Sequence, residues 1–273
     1  MKNFLLVLLM IIIVAGTGCA IYYQVDRFNK KTEVDTKTSE EQKEEKTEEK
    51  AEKLDVNSEQ VTSLMKKVDV VNDFYSTGEQ MQGYFYIKDK YTKNEIDDTI
   101  KLLIGLNSID LKNRFERTNE YELGTAKLTA LEVRNSIENI FGKDITYNDI
   151  KEKITMPFCA VGAVTFNSED NSYLITEPGC GGTLNPYYST KIISATKYEN
   201  RIEIEEKAIY ITANTENENN ITTNIYKANK TDLIAENITT SDYDQYFDKT
   251  DSYKYTFKLE DGNYYFESVE KIK

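Results

Sequence analysis

The sequence contains no histidine and no tryptophan, and only three cysteines and three prolines in 273 residues. Without histidine, the chain cannot form a Ser-His-Asp triad, a Cys-His catalytic pair or a histidine-ligated metal site. Three cysteines are also too few for a four-cysteine zinc or iron–sulfur site. No segment matches the calcium-binding loop of an EF-hand. We therefore expect no metal, no cofactor and no catalytic residues, and any catalysis would have to use carboxylates, lysine, tyrosine, serine or threonine.

Basic residues are too few to balance the acidic ones. Residues 27–57 hold eight basic and ten acidic side chains and the charges of residues 1–26 cancel, so residues 58–273 carry −11 of the net charge of −13. A surface of this sign repels phosphate backbones, and the sequence therefore predicts no nucleic-acid partner. The same charge keeps the folded part hydrated and soluble.

A long apolar run occurs at the N-terminus, where Phe4–Tyr23 follows the single lysine Lys2. About 20 apolar residues in a helix span the ~30 Å hydrocarbon core of a bilayer, and tyrosines favour its interface. We therefore expect residues 1–26 to form an N-terminal membrane anchor. An uncleaved signal anchor is preferred over two alternatives, a cleaved secretory signal and a lipoprotein that is lipidated at Cys19.

The orientation of this anchor depends on competing signals. Three basic residues follow the apolar run, whereas Lys2 alone precedes it, and the positive-inside rule taken literally would keep the folded part in the cytoplasm. A very short polar N-terminus before a long apolar run is instead typical of export signals. Two later cysteines also suit an oxidising exterior. We expect a single-pass protein of the cell membrane whose C-terminal domain lies outside the cytoplasm.

Residues 27–57 are dominated by lysine, glutamate and threonine and have almost no apolar side chains to bury. Such a segment cannot offset the entropy cost of ordering, so the sequence predicts a charged spacer that is disordered or partly helical. Apolar residues do not recur at heptad positions, which argues against a coiled coil.

Residues 58–150 carry mainly helical signals. Ser58 is suited to cap a helix whose apolar residues recur at positions i, i+3, i+4 and i+7, and we expect this helix to end near Thr77-Gly78. The apolar run 84–87 is too short to assign to a helix or a strand. Residues 114–124 have the composition of irregular surface structure.

Two capping-box patterns predict two further helices. Thr92 and Thr129 are followed three residues later by Glu95 and Glu132, which is the spacing at which side chains satisfy the free backbone donors of a helix N-terminus. Apolar residues at helical spacing follow each box. Gly142 is predicted to end the second of these helices.

The residues after position 150 change to the alternation typical of strands. A turn signal, Asp261-Gly262, separates the last two predicted strands. Helices followed by antiparallel strands predict an α+β fold in which residues 151–273 form a β-rich part, within one domain with 58–150 or beside it. Cystatin-like and NTF2-like folds share this element order, which is an analogy and implies no function. The predicted strands cover 158–166, 172–176, 191–198, 201–212, 221–228, 253–259 and 263–269.

Cys159 and Cys180 are candidates for a disulfide. If they pair, closing a loop of about 20 residues stabilises the fold by roughly 3 kcal/mol. Glycines around Cys180 allow the backbone to turn tightly there. Two alternatives stay open, which are a pair of free buried thiols and a redox-active cysteine.

Tyrosines and aspartates form two further clusters in the last third of the chain. The tyrosines suit either a ligand groove or the packing of a sheet face, and packing is the preferred interpretation. The aspartates suit a solvated acidic turn better than a calcium site. The tyrosines are Tyr187, Tyr188, Tyr243, Tyr246, Tyr253, Tyr255, Tyr264 and Tyr265, and the aspartates are Asp242, Asp244, Asp248 and Asp251.

The chain resembles membrane-anchored extracytoplasmic proteins of low-GC Gram-positive-type bacteria that have no assigned activity. The resemblance covers most of 58–273 and implies an envelope location without carrying over any functional residue. It rests on the anchor with its charged spacer and on three segments, which are 132–147 with its Ile140-Phe141-Gly142-Lys143-Asp144 core, Gly179-Cys180-Gly181-Gly182, and 253–271.

These observations favour a non-enzymatic module that binds an envelope protein, a peptide or a cell-wall component. One alternative is a scaffold or assembly subunit of an envelope machine. Another is a hydrolase that uses paired carboxylates, although no pair, such as Glu203 with Glu205, stands out. A cavity with two carboxylates roughly 5–10 Å apart would support the hydrolase.

Overall fold

The computed structural model describes residues 50–68, 83–117, 119, 122–155, 163–177, 186–217 and 220–272. The predicted anchor with Cys19, and the cysteines Cys159 and Cys180, lie outside these residues. Each helix within the described part of the chain falls short of the length and apolar content that a bilayer-spanning helix requires.

The described residues form an α+β fold with few helices and a large antiparallel sheet, which confirms the predicted α+β class. The large sheet contains β1 (Glu52–Lys53), β2 (Lys90–Thr92), β7 (Tyr187–Lys197), β8 (Arg201–Asn217), β9 (Asn220–Lys227), β10 (Leu233–Ile238), β11 (Ser252–Glu260) and β12 (Asn263–Ile272). Its strands follow the order β1-β7-β8-β11-β12-β2, and β9 pairs with both β8 and β10.

Strand β8 is the longest and connects two parts of this sheet. Its first half, Arg201–Lys207, pairs with β11, and its second half, Ile209–Asn217, pairs with β9, while β7 runs along its other edge. Alternating residues of β8 point into the main core, as the predicted alternation requires. Asp261 and Gly262 form the tight turn between β11 and β12, with positive φ angles of 49° and 82°.

A smaller antiparallel sheet lies within the middle of the chain. It contains β3 (Thr125–Thr129), β4 (Ile154–Thr155), β5 (Ala163–Asn167) and β6 (Ser172–Thr176) in the order β3-β6-β5-β4. The predicted strands at 158–166 and 172–176 correspond to β5 and β6 where they are described, and Asn171 turns the chain between them with a φ of 52°. Strand β3 was not predicted, because the sequence around it shows only the signals of a helix start.

Three α-helices are described, α1 (Glu59–Val68), α2 (Asp98–Asn107) and α3 (Ala130–Phe141). Three of their predicted ends are confirmed, namely the start of α1 and both ends of α3. The backbone N–H of Val61 donates to the Ser58 hydroxyl over 3.4 Å at the start of α1. The N–H of Glu132 donates to the Thr129 hydroxyl over 3.1 Å, and Gly142 ends α3 with a φ of 92°. The predicted end of the first helix at Thr77-Gly78 lies outside the described residues.

The capping box at Thr92 forms but begins a different element from the one predicted. The Thr92 N–H and hydroxyl both donate to the Glu95 carboxylate, at 2.9 and 2.8 Å, around a 3-10 turn at Lys93–Glu95. Ile96 is then extended and buried, and α2 begins at Asp98. The prediction of one helix from Thr92 was wrong because the apolar Ile96 enters the core before the helix starts.

One hydrophobic cluster joins the helices to the large sheet. It includes Val61 and Leu64 of α1, Ile137 of α3, and Phe257 and Phe266 of the last hairpin. A smaller cluster covers the opposite face of β8 and β9 with Tyr246 and Phe247 from the 3-10 turn Asp244–Lys249. Helices and strands on either side of position 150 therefore contribute to a common core.

Candidate binding site

A cavity of about 160 Å³ lies where α1, the 3-10 turn Tyr84–Tyr86 and the large sheet meet. Thr62 and Met65 line it from α1, and Phe85 and Tyr86 line it from the turn. The sheet contributes residues from three adjacent strands, which are Thr190 of β7, Glu206 of β8 and Tyr255 of β11.

Glu206 is the acidic residue of this cavity lining, and its side chain is 6% exposed. It lies on the face of β8 that also carries Ile204 and Ala208, both fully buried, so a carboxylate occupies a position where the strand otherwise places apolar side chains. Its neighbours across the sheet are Ile192 and Tyr253. A buried carboxylate is costly unless it is hydrogen-bonded or paired with a cation.

Tyr86 supplies one such hydrogen bond, because its hydroxyl donates to Glu206 Oε2 over 3.0 Å. The Tyr86 ring packs at 4.6 Å from the ring of Tyr253 and 5.1 Å from that of Tyr188. Burial, followed by the negative charge of Glu206 and the neighbouring Tyr255, raises the pKa of Tyr86 well above its usual value. The hydroxyl therefore stays protonated at neutral pH and can donate to Glu206.

The buried tyrosines of the large sheet mainly pack the core, as the preferred interpretation predicts. Tyr188 is fully buried and donates to the carbonyl oxygen of Ala228 over 2.8 Å. Its ring lies 5.1 Å from that of Tyr210, and the ammonium of Lys230 lies 5.1 Å from the Tyr210 ring centre. Tyr255 fits both the packing interpretation and the ligand-groove interpretation, because it belongs to the core cluster and also lines the cavity.

The acidic cluster of the last third forms ion pairs with lysines. Lys191, Lys207 and Lys271 lie 3.2, 3.7 and 2.8 Å from the carboxylates of Asp244, Asp248 and Asp251, respectively. Asp242 instead accepts a hydrogen bond from the backbone N–H of Asp244. Among the described residues, no group of three or more acidic or cysteine side chains is placed to hold a metal ion.

Glu203 and Glu205 lie on the face of β8 opposite Glu206 and make separate contacts. Arg201 donates to Glu203 over 2.8 Å, and the Ser194 hydroxyl donates to Glu205 over 3.3 Å. The described lining of the cavity therefore contains one carboxylate, Glu206, together with the ammonium of Lys66, a tyrosine hydroxyl, threonines and aromatic rings. This arrangement places hydrogen-bond donors and acceptors within an apolar wall.

The sequence carried a weak signal for Glu206 that pattern reasoning missed. Along β8, isoleucines at 202 and 204 alternate with glutamates at 203 and 205, and Glu206 breaks this alternation by placing an acid on the apolar face. Tyr86, whose hydroxyl donates to Glu206, is 120 positions away in the chain. Cys19, Cys159 and Cys180, the residues singled out from the sequence, lie outside the described residues.

Comparisons with models of protein families, with curated proteins and with solved structures each found no match for this chain.

Proposed function

We propose that this protein is a membrane-anchored, extracytoplasmic binding module that recognises an envelope protein, a peptide or a cell-wall component through the cavity beside α1. The apolar run Phe4–Tyr23 and the charged spacer support the location. The cavity supports the binding activity, because it combines a concave apolar wall with one precisely held polar group, as ligand sites usually do.

The same cavity favours binding over hydrolysis. Glycoside hydrolysis by paired carboxylates requires two acids about 5–10 Å apart. Glu206 is the one acid in the described lining, and Glu203 and Glu205 face away from it. We also propose that the element order follows that of cystatin-like or NTF2-like folds, an analogy that concerns the fold and not the activity.

Site-specific photo-cross-linking in intact cells tests this function. Lys66 lines the cavity from an exposed position on α1, and Leu131 on α3 is 65% exposed and stands as the control position. With benzoylphenylalanine at position 66 of the full chain, we expect a discrete adduct with one envelope component that mass spectrometry identifies. The same probe at position 131 is expected to give no such adduct.

Two substitutions in β7 test whether the adduct depends on the cavity. Thr190→Phe fills the cavity, whereas Ser189→Phe places the same ring on the opposite face of β7. We expect the first to abolish the adduct at position 66 and the second to retain it. Equal adducts at positions 66 and 131, or an adduct that survives Thr190→Phe, would contradict the proposed function.

A further inference from the structure

We infer that the cavity beside α1 binds the phenyl ring of a phenylalanine side chain from a partner polypeptide. The inference rests on the proposed function and names the class of partner for the same site, a protein or peptide rather than a cell-wall glycan. Three features carry it: the engagement of the polar groups within the protein, the aromatic walls and the volume of the cavity.

The polar groups at the sheet side of the cavity already have partners within the protein. Tyr86 donates to Glu206 Oε2 over 3.0 Å and is also hydrogen-bonded to Tyr255. Glu206 has a further interaction within the folded chain besides the one with Tyr86. A ligand is therefore not needed to neutralise this carboxylate. An apolar group loses no hydrogen bonds on entering such a site, whereas the hydroxyls of a sugar would lose their water for few new partners.

The charges of the lining favour a neutral ligand. The described lining contains one negative side chain, Glu206, and one positive side chain, Lys66. They carry opposite charges, so the lining has no net charge that would select a cation or an anion. Lys66 is exposed and can keep its ammonium in water while its methylene groups cover apolar surface.

The walls favour an aromatic group over an aliphatic one. Phe85, Tyr86 and Tyr255 all line the cavity, and the rings of Phe85 and Tyr255 lie 6.1 Å apart at 83°, which is the edge-to-face geometry that aromatic pairs prefer. A ring from a partner would add to this arrangement, and one such pair strengthens binding by about two- to tenfold beyond its apolar area. The thioether of Met65 offers a further favourable contact to a ring.

The volume limits the ligand to one side chain. Sites for drug-sized molecules usually measure about 300–1,000 Å³, whereas an engineered cavity of about 150 Å³ binds benzene. The present cavity of about 160 Å³ therefore accommodates one phenyl ring and not a disaccharide. A single aromatic side chain in a well-packed pocket is a common anchor of protein–protein interfaces.

The methyl group of Met65 provides a direct test, because a phenyl ring beside it shifts its magnetic resonance signal through the ring current. The full chain is isotope-labelled at its methionine methyl groups and reconstituted in lipid nanodiscs, with Met65→Leu to assign the signal. Three probes are titrated: N-acetyl-phenylalaninamide, the cyclohexylalanine analogue of the same size, and N-acetylglucosamine.

We expect the phenylalanine probe to shift the Met65 signal with a Kd on the order of 1 mM. The cyclohexyl analogue should bind about two- to tenfold more weakly, and the sugar should leave the signal unchanged. Thr190→Phe is expected to abolish the response to the phenylalanine probe, and Ser189→Phe on the opposite face of β7 is expected to retain it.

The adduct from position 66 gives a second readout in cells. We expect its partner to be a polypeptide with a phenylalanine close to the cross-linked residue. Alanine at that phenylalanine should reduce the adduct about tenfold or more, because the anchor of an interface carries much of its binding energy.

The outcomes separate this inference from the proposed function. Equal affinity for the phenyl and cyclohexyl probes, with both lost in Thr190→Phe, would refute the aromatic ring and retain the cavity as the binding site. A glycan adduct at position 66, or a discrete adduct without any Met65 response to the phenylalanine probe, would also refute the phenylalanine alone. Absence of both the adduct and the Met65 response would overturn both proposals. The comparison of the three probes on the unaltered protein stands even where Thr190→Phe fails to fold.

Discussion

The hydrogen bond from Tyr86 helps the sheet to tolerate the carboxylate of Glu206 in its interior. Glu206 lies between Ile192 and Tyr253 on the neighbouring strands, and Tyr86 reaches it from the 3-10 turn above the sheet. A buried acceptor that loses a donor keeps the part of its desolvation cost that this hydrogen bond had offset. The turn Tyr84–Tyr86 is therefore part of the support of the proposed site.

Removing this hydroxyl should destabilise the protein more than removing a comparable one. Tyr86→Phe deletes a hydrogen bond to a carboxylate, and we expect it to lower the free energy of unfolding by about 1.5–3 kcal/mol. Tyr188→Phe deletes a hydrogen bond to the neutral carbonyl of Ala228, with an expected loss of about 0.5–1.5 kcal/mol. Urea denaturation of the full chain measures both, and a larger loss for Tyr188→Phe would contradict the account.

At the scale of elements, α3 is bounded by two residues whose roles were visible in the sequence. The Thr129 hydroxyl accepts from Glu132 at its start, and Gly142 ends it with φ 92° and ψ 160°. This backbone conformation is accessible essentially to glycine alone. A side chain at this position would also bring its Cβ within 2.9 Å of Asp144 Oδ1.

Gly142→Ala should therefore be costly, by about 1–3 kcal/mol in the free energy of unfolding. The matched variant is Gly262→Asn in the β11–β12 turn, where no atom lies within 4 Å of an added Cβ. Asparagine tolerates a positive φ, so we expect a loss below about 1 kcal/mol there. Thermal or urea unfolding compares the two, and equal losses would show that the backbone at Gly142 is not constrained as described.

The N-terminal cap of α3 makes a separate contribution. Thr129→Ala removes the acceptor for the Glu132 N–H and should lower the free energy of unfolding by about 0.5–2 kcal/mol. Thr129→Ser keeps a hydroxyl and should recover most of this loss. If the serine variant were as unstable as the alanine variant, the methyl group rather than the cap would be responsible.

The elements that could be predicted are those with long periodic patterns. Strands β7, β8, β11 and β12 follow from alternation and an Asp-Gly turn, and α3 follows from its capping residues. Strands β1, β2, β3, β4 and β10 were not predicted. Strands β1, β2 and β4 have only two or three residues, and the alternation of β3 is only five residues long, immediately before the helix cap. The last lies at the sheet edge with half-exposed side chains.

The candidate site could not be predicted for a different reason. Its carboxylate and its tyrosine donor are 120 positions apart, and only the packing of the turn Tyr84–Tyr86 onto the sheet brings them together. Sequence reasoning instead selected cysteines, because their chemistry is recognisable without a fold. A glutamate on the apolar face of a strand was the one local departure that pointed to Glu206.

At the scale of the whole molecule, several partly exposed carboxylates are stabilised by hydrogen bonds in the folded state. Arg117 and the Gly124 N–H lower the pKa of Glu177, and Lys254 lowers the pKa of Glu270. For Asp98, burial acts to raise the pKa, but hydrogen bonds from Asn148 and Lys101 outweigh it and the pKa falls below its usual value.

These depressed pKa values predict a loss of stability in acid. A carboxyl whose pKa is lower in the folded state stabilises the protein at pH values above its unfolded pKa, which is 4.5 for glutamate and 3.8 for aspartate. This contribution disappears as the pH falls through the folded pKa. We therefore expect the free energy of unfolding to decrease steadily from about pH 5 to pH 3.

Urea denaturation at several pH values between about 6.5 and 3 measures this dependence, because carboxyl groups titrate over roughly this range. Glu270→Gln, which removes one of the titrating groups, should make the decrease shallower. Stability that rises as the pH falls from about 5 to 3 would contradict the described ion pairs and hydrogen bonds.

The whole chain combines a proposed anchor, a charged spacer and an acidic folded module whose described residues form the cavity beside α1. The central proposal is that an envelope component binds in this cavity. Photo-cross-linking in intact cells from benzoylphenylalanine at position 66, with and without Thr190→Phe, tests this most directly. We predict a discrete adduct that Thr190→Phe abolishes and Ser189→Phe retains. An adduct that survives Thr190→Phe, or an equal adduct from position 131, would contradict it.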